Sequence, residues 1–212
     1  MLTKIASLIT FMWAVGINQT SAILFATPVK AGGYGFSEKS VGFLFFTPIV
    51  SVILGELFGH FVNDFLAIRY VRKHAGVFKP EARLPPIYFA AFFVIPGLVL
   101  IGQSLQKHLT WVAIVFGWGM YVFGYMIMSV AITAYALDSY PTGSGEVSSL
   151  INFARLIGGF SVGYFQLAWG LKSGFNVSFG VQAALVAAAV MIIPVLHVYG
   201  PRMRAKGGPL EI

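Results

Sequence analysis

Residues 41–62 read VGFLFFTPIVSVILGELFGHFV, and the fold follows from this stretch. It carries one carboxylate, Glu56, and one histidine, His60, in a run that is otherwise apolar or small. Its length matches the ~20 residues an α-helix needs to cross a ~30 Å hydrocarbon core. Five further apolar runs match it: Ile5–Val29, Pro86–Leu105, Leu109–Leu137, Val147–Gly170 and Ser178–Tyr199. None alternates with the period of two of a lipid-facing barrel, and each is about twice as long as a barrel strand. In lipid every backbone polar group must be satisfied within the segment, so these runs are predicted to be helices. The expectation is an all-α membrane protein, one six-helix transmembrane domain over residues 1–212, with residues 64–85 forming a loop.

Composition agrees. Of 212 residues 58% are hydrophobic and 10% charged, against about 25% charged in a soluble domain. Cysteine is absent, which removes thiolate metal sites and thiol chemistry. The net charge of +7 is scattered over short connections instead of lining one helical face, so it reads as a topology signal and not as a nucleic-acid surface. Lys4, Arg69, Arg72, Lys73, Lys79, Arg83, Arg202, Arg204 and Lys206 fall on one side, and Lys30, Lys39, Lys107 and Lys172 on the other. The richer side is predicted to be cytoplasmic, with both termini there. The plasma membrane is the expected location.

A long connection after the second run and short ones after the third and fifth divide the chain into two triples. Glu56-Leu57-Phe58-Gly59 in the middle helix of the first triple echoes Arg155-Leu156-Ile157-Gly158 in that of the second, as a three-plus-three inverted repeat arranges them. At 1.5 Å per residue Glu56 lies about 12 Å above Asp64 and Arg155 about 13 Å above Glu146, so their depths agree. An ionisable group at that depth costs at least ~2.5 kcal/mol and wants a polar cavity or a partner. The two residues are therefore either a proton- or cation-linked substrate site, a gating ion pair, or a structural pair that fixes packing. His60 lies one turn from Glu56, where it either shares the proton or reaches interfacial water.

Other polar residues extend the candidate site. Asn152, Arg155, Gly159, Val162 and Gln166 share one stripe of the fifth run. Asn18 and Gln19 interrupt the first run, where neutral amides can bind a solute by hydrogen bonds. Trp118, Tyr121, Tyr125 and Met128 form an aromatic stripe on the fourth run, suited either to an organic cation or to packing. Gly55–Gly59 and Gly159–Gly163 are small-residue steps that permit close helix contact. Gly159-Phe160-Ser161-Val162-Gly163 matches a serine-hydrolase elbow in letters, but it lies inside a transmembrane run where no strand–turn–helix can form. No metal-binding cluster, cofactor motif or catalytic constellation is present, and no enzyme is expected.

Several stretches together resemble the C-terminal six-helix half of a major facilitator superfamily transporter of the fungal drug:proton-antiporter kind. They are Gly59-His60-Phe61-Val62-Asn63-Asp64 with Arg69, Arg72 and Lys73; Phe78-Lys79-Pro80-Glu81-Ala82-Arg83-Leu84; Tyr135-Ala136-Leu137-Asp138-Ser139-Tyr140-Pro141; and Asn152, Arg155, Gly159-Phe160 and Tyr164-Phe165-Gln166. The resemblance implies a cytoplasmic latch at Asp64, Arg69 and Arg72. In this chain Asp64 comes one residue later than the family spacing, and the second glycine of that motif is missing. It also implies that the first and fourth helices line a central cavity, adding weight to Asn18, Gln19, Trp118, Tyr121 and Tyr125. The expected activity is secondary transport of a small organic solute or cation, coupled to protons, as part of an alternating-access carrier. The alternative is a non-transporting membrane fragment or packing subunit. Because the family has twelve spans, the expected partner is an N-terminal six-helix half or a second copy, and a truncated product is the expected origin.

Overall fold

Pro48 cannot donate a backbone hydrogen bond, and the second run is accordingly broken just before it. In the computed structural model, which describes residues 2–29 and 33–207 and the side chains of all these except 2–7, Thr142 and 201–207, a short helix α2 (Glu38–Leu44) gives way at Phe45 to α3 (Phe46–Lys73). Ser37 caps α2 by accepting from the Ser40 amide. The other long helices are α1 (Leu2–Ala26), α4 (Pro85–Lys107), α5 (Trp111–Ser139), α6 (Ser144–Ser173) and α7 (Phe175–Gly207). No strand occurs among the described residues.

Two expectations need correction. Residues 64–73 do not belong to the loop: α3 runs on to Lys73, because no Gly or Pro interrupts it, and the connection shrinks to a turn and a 3-10 segment, Pro80–Arg83. The run at Val147–Gly170 lies within α6 and is long enough to span. It is not among the five helical segments that are both long and apolar enough to do so, since Ser148, Ser149, Asn152, Arg155, Ser161 and Gln166 dilute it. Those five segments make this a multi-pass membrane protein. Of the bases counted for topology, Lys4, Lys30, Arg202, Arg204 and Lys206 have side chains outside the described residues.

The helices pack across the two triples. α1 lies against α6, α5 lies against α3, and α4 packs on both α5 and α7. Exchanging the triples maps α1 on α6 onto α5 on α3, the pattern of an inverted repeat. Lipid tails are as apolar as leucine, so close van der Waals fit rather than hydrophobic burial drives these contacts. A Cβ placed on Gly55 would lie 2.7 Å from the Phe123 carbonyl oxygen, and one on Gly159 would lie 2.7 Å from Val15 Cγ2. Both small-residue steps therefore sit at the exchanged contacts.

The odd connections gather at one end. Gln106 Oε1 accepts the Phe175 amide at 2.8 Å, and Tyr34 donates its hydroxyl to the Ser104 carbonyl at 2.6 Å. Burial alone pushes the Tyr34 phenol up to about 12.

Candidate functional site

At the opposite end the 3-10 turn delivers Arg83 between α3 and α5. Its Nε donates to Asp138 at 2.6 Å, and its Nη1 donates to Asp64 at 2.8 Å and to Asn63 at 2.9 Å. Burial works to lower the Arg83 pKa. The hydrogen bonds and charges of Asp64 and Asp138 outweigh it and hold the guanidinium above its ordinary value. The Phe78 ring lies 5.8 Å from the same guanidinium. Two residues before it, Glu81 is buried, and its Oε1 converges with the Tyr135 hydroxyl on Gly200 of α7. One turn of chain thus ties α3, α5 and α7 together.

This changes the latch. Asp64 pairs with Arg83, and the expected partners Arg69 and Arg72 make no ion pair among the described residues. The continued helix is the reason: five residues on, Arg69 is turned about 140° away from Asp64, and Arg72 is about 12 Å further along the axis. Arg83 and Asp138 lie in stretches that carry the resemblance, which implies no role for either. An arginine just after Pro80-Glu81-Ala82 and an aspartate at the end of α5 are the available signals.

From Asp64 a groove of about 430 Å³ runs between α3 and α5, lined by Glu56, His60, Arg83, Ser129, Thr133 and Asp138 among others. Glu56 is half exposed and lies 4.0 Å from His60. Arg155 of α6 reaches α5 from the far side, donating to Thr133 Oγ1 at 3.3 Å, with the Phe11 ring 5.9 Å away. Glu56 lines the same groove as Thr133, to which Arg155 donates, and no ion pair joins Glu56 and Arg155 among the described residues.

A second groove, of about 650 Å³, lies between α1 and α6 and is lined by Phe11, Val15, Gln19, Leu156, Phe160 and Tyr164 with two glycines. It is the counterpart of the first under exchange of the triples. Asn18 and Asn152 are exposed. Of the α6 stripe, Gly159, Val162 and Gln166 are buried, and Gln166 accepts from Gln182 of α7 at 2.8 Å.

The aromatic stripe lines none of the grooves found among the described residues. Trp118, Tyr121 and Met128 are buried to 1% exposure or less and Tyr125 to 8%. Tyr121 donates to the Thr10 carbonyl at 2.8 Å, and Tyr125 meets Phe11 edge-on at 5.5 Å. α1 and α4 cover the face that the sequence alone leaves open. Ser161 is no nucleophile either, for its hydroxyl donates to the Ile157 carbonyl at 2.8 Å within the helix.

The chain is 28% identical over 184 residues to the efflux pump radE of Floropilus chiversii, covering 84% of this chain and 34% of that one. The chain resembles major facilitator superfamily transporters. It is 30% identical over 162 residues to the MFS-type transporter oryF of Aspergillus oryzae, covering 75% of this chain and 33% of the relative. It is 29% identical over 137 residues to the probable drug/proton antiporter YHK8 of Saccharomyces cerevisiae, covering 64% and 26%. The chain thus spans about a third or less of these relatives, which are transporters and not enzymes. No family model and no solved structure matches.

Proposed function

We propose that this chain supplies the C-terminal six-helix half of an alternating-access carrier for a small organic solute or cation, coupled to protons, with all six long helices crossing the bilayer and both termini cytoplasmic. The observation that carries the reading is Glu56. It lies well inside the apolar part of α3, half exposed to a groove that opens toward the Asp64–Arg83–Asp138 cluster. No Lys or Arg lies within ion-pair distance of it among the described residues. A carboxylate at membrane depth without a cation is costly unless it exchanges a proton or meets a cationic solute. The names of the relatives, efflux pumps and a drug/proton antiporter, support the same reading. Asn18, Gln19, Asn152 and Arg155 then belong to the substrate face. The facing wall of the cavity comes from an N-terminal half or from a second copy.

Proteoliposomes with an imposed pH gradient test the proposal, holding either this chain alone or the chain with an N-terminal six-helix half of a relative. Proton-driven flux of a lipophilic cation in the paired sample, lost in Glu56→Gln, is expected. Flux unchanged by Glu56→Gln removes the proton role. No flux in either sample favours the rival reading of a non-transporting packing subunit.

A further inference from the structure

Three cations converge on a cleft that the carrier reading does not use. Arg69 and Lys73 stand four residues apart on one face of α3. The chain then reverses at Ala75 and Gly76, both at positive φ, with Gly76 donating its amide to the Val71 carbonyl at 3.0 Å. Glycine adopts that conformation without strain. The reversal brings Lys79 back beside the helix, and His197 of α7 closes the far wall. The cleft has a volume of about 460 Å³.

None of Arg69, Lys73 and Lys79 has an acidic partner among the described residues. Among the described residues Glu81 is the one carboxylate on the lining, and it is buried toward Tyr135 and Gly200. Like charges one turn apart repel, and an anion between them relieves this. Tyr70 and His74 stack at 3.9 Å beside the cations, and Leu66, Ala82, Pro85 and Val198 supply an apolar flank; Val195 and Val198 stand exposed about one turn apart on α7, leading toward the bilayer. A basic hollow between helix ends with an apolar flank suits a lipid headgroup with its acyl chain alongside.

We propose that this cleft binds the phosphate group of an anionic phospholipid, held by Arg69, Lys73 and Lys79, with the acyl chain lying along Val195 and Val198. Binding is read directly, so the outcome does not depend on whether the chain transports anything.

The test is native mass spectrometry of the full chain in detergent, titrated with dioleoyl phosphatidic acid, with dioleoyl phosphatidylcholine and, separately, with glycerol 3-phosphate. Removing one cation, as in Arg69→Gln, is expected to weaken phosphatidic acid about fivefold, and removing Arg69, Lys73 and Lys79 together roughly a hundredfold. A control with Lys39, Lys107 and Lys172 changed to Gln removes equal charge at the other end and is expected to leave binding within about twofold. Equal losses in the two triple variants, or equal binding of phosphatidylcholine, overturn the site. Glycerol 3-phosphate binding as tightly as phosphatidic acid overturns the lipid source. The single variant carries the test if the triple variant does not fold.

Discussion

Replacing Arg83 by alanine should release the turn that joins α3 to α4. Three bonds are lost at once. The bond to Asp138, 30% exposed, is charge-assisted and contributes about 1.5–2 kcal/mol. The bond to Asn63, buried at 1% exposure, contributes about 1 kcal/mol. Asp64 is 63% exposed, so solvent screening leaves its pair at under about 0.5 kcal/mol. Together they amount to about 3 kcal/mol, or about a 150-fold change in the equilibrium between closed and open turn. Hydrogen exchange reads that equilibrium, because the Ala82 and Leu84 amides bond to the Lys79 and Glu81 carbonyls inside the turn. Their exchange should accelerate about a hundredfold in Arg83→Ala, while amides in the middle of α5 stay unchanged. Arg83→Lys keeps the charge but cannot reach three acceptors from a fork, so it should recover only part of the protection. An acceleration below about threefold in Arg83→Ala would refute the claim that this side chain holds the turn.

Two further outcomes follow from close contacts and burial. Gly55→Ala places a methyl 2.7 Å from the Phe123 carbonyl oxygen and 2.9 Å from Met126 Cβ, whereas Gly42 has nothing within 4 Å. Thermal unfolding in detergent should show Gly55→Ala destabilised by about 1–3 kcal/mol and Gly42→Ala unaffected or slightly stabilised; equal midpoints for the two would contradict the packing of α3 on α5. Tyr34 titrates at about 12 because burial favours its neutral form. Its folded pKa lies above that of the unfolded chain, so its contribution is complete below the ordinary phenol pKa and is lost as pH rises toward 12. Tyr34→Phe should remove this alkaline dependence, along with about 1 kcal/mol from the bond to Ser104; alkaline stability curves of the two proteins with the same slope would count against it.

What the sequence made legible was whatever depends on local pattern. Apolar runs located the helices, and the echo of Glu56–Gly59 in Arg155–Gly158 marked helices that exchange places under the repeat. The glycine steps fell where helices touch, since close approach demands them whatever the partner. Misreadings arose where the answer lay in distant chain. Residues 64–73 look like loop because they are charged, yet a helix leaving the membrane into water can be charged and stay helical. The stripe of Trp118, Tyr121 and Tyr125 is periodic, but its period does not say that α1 and α4 cover it. Asp138 lies 55 residues from Arg83, beyond any spacing rule, whereas the resemblance points only to Arg69 and Arg72, the bases that follow Asp64 in the chain.

The exchanged packing of α1 on α6 and of α3 on α5 bears on how the protein is made. Synthesis runs from the first helix to the last, so α1 enters the membrane long before α6 exists. Its face of Met12, Val15 and Gln19, fitted to the glycines of α6, must wait among lipids or borrowed companions until most of the chain has followed. Assembly therefore finishes late, and a ribosome stalled after α4 leaves three inserted helices, none of which has yet met the neighbour it packs on most closely.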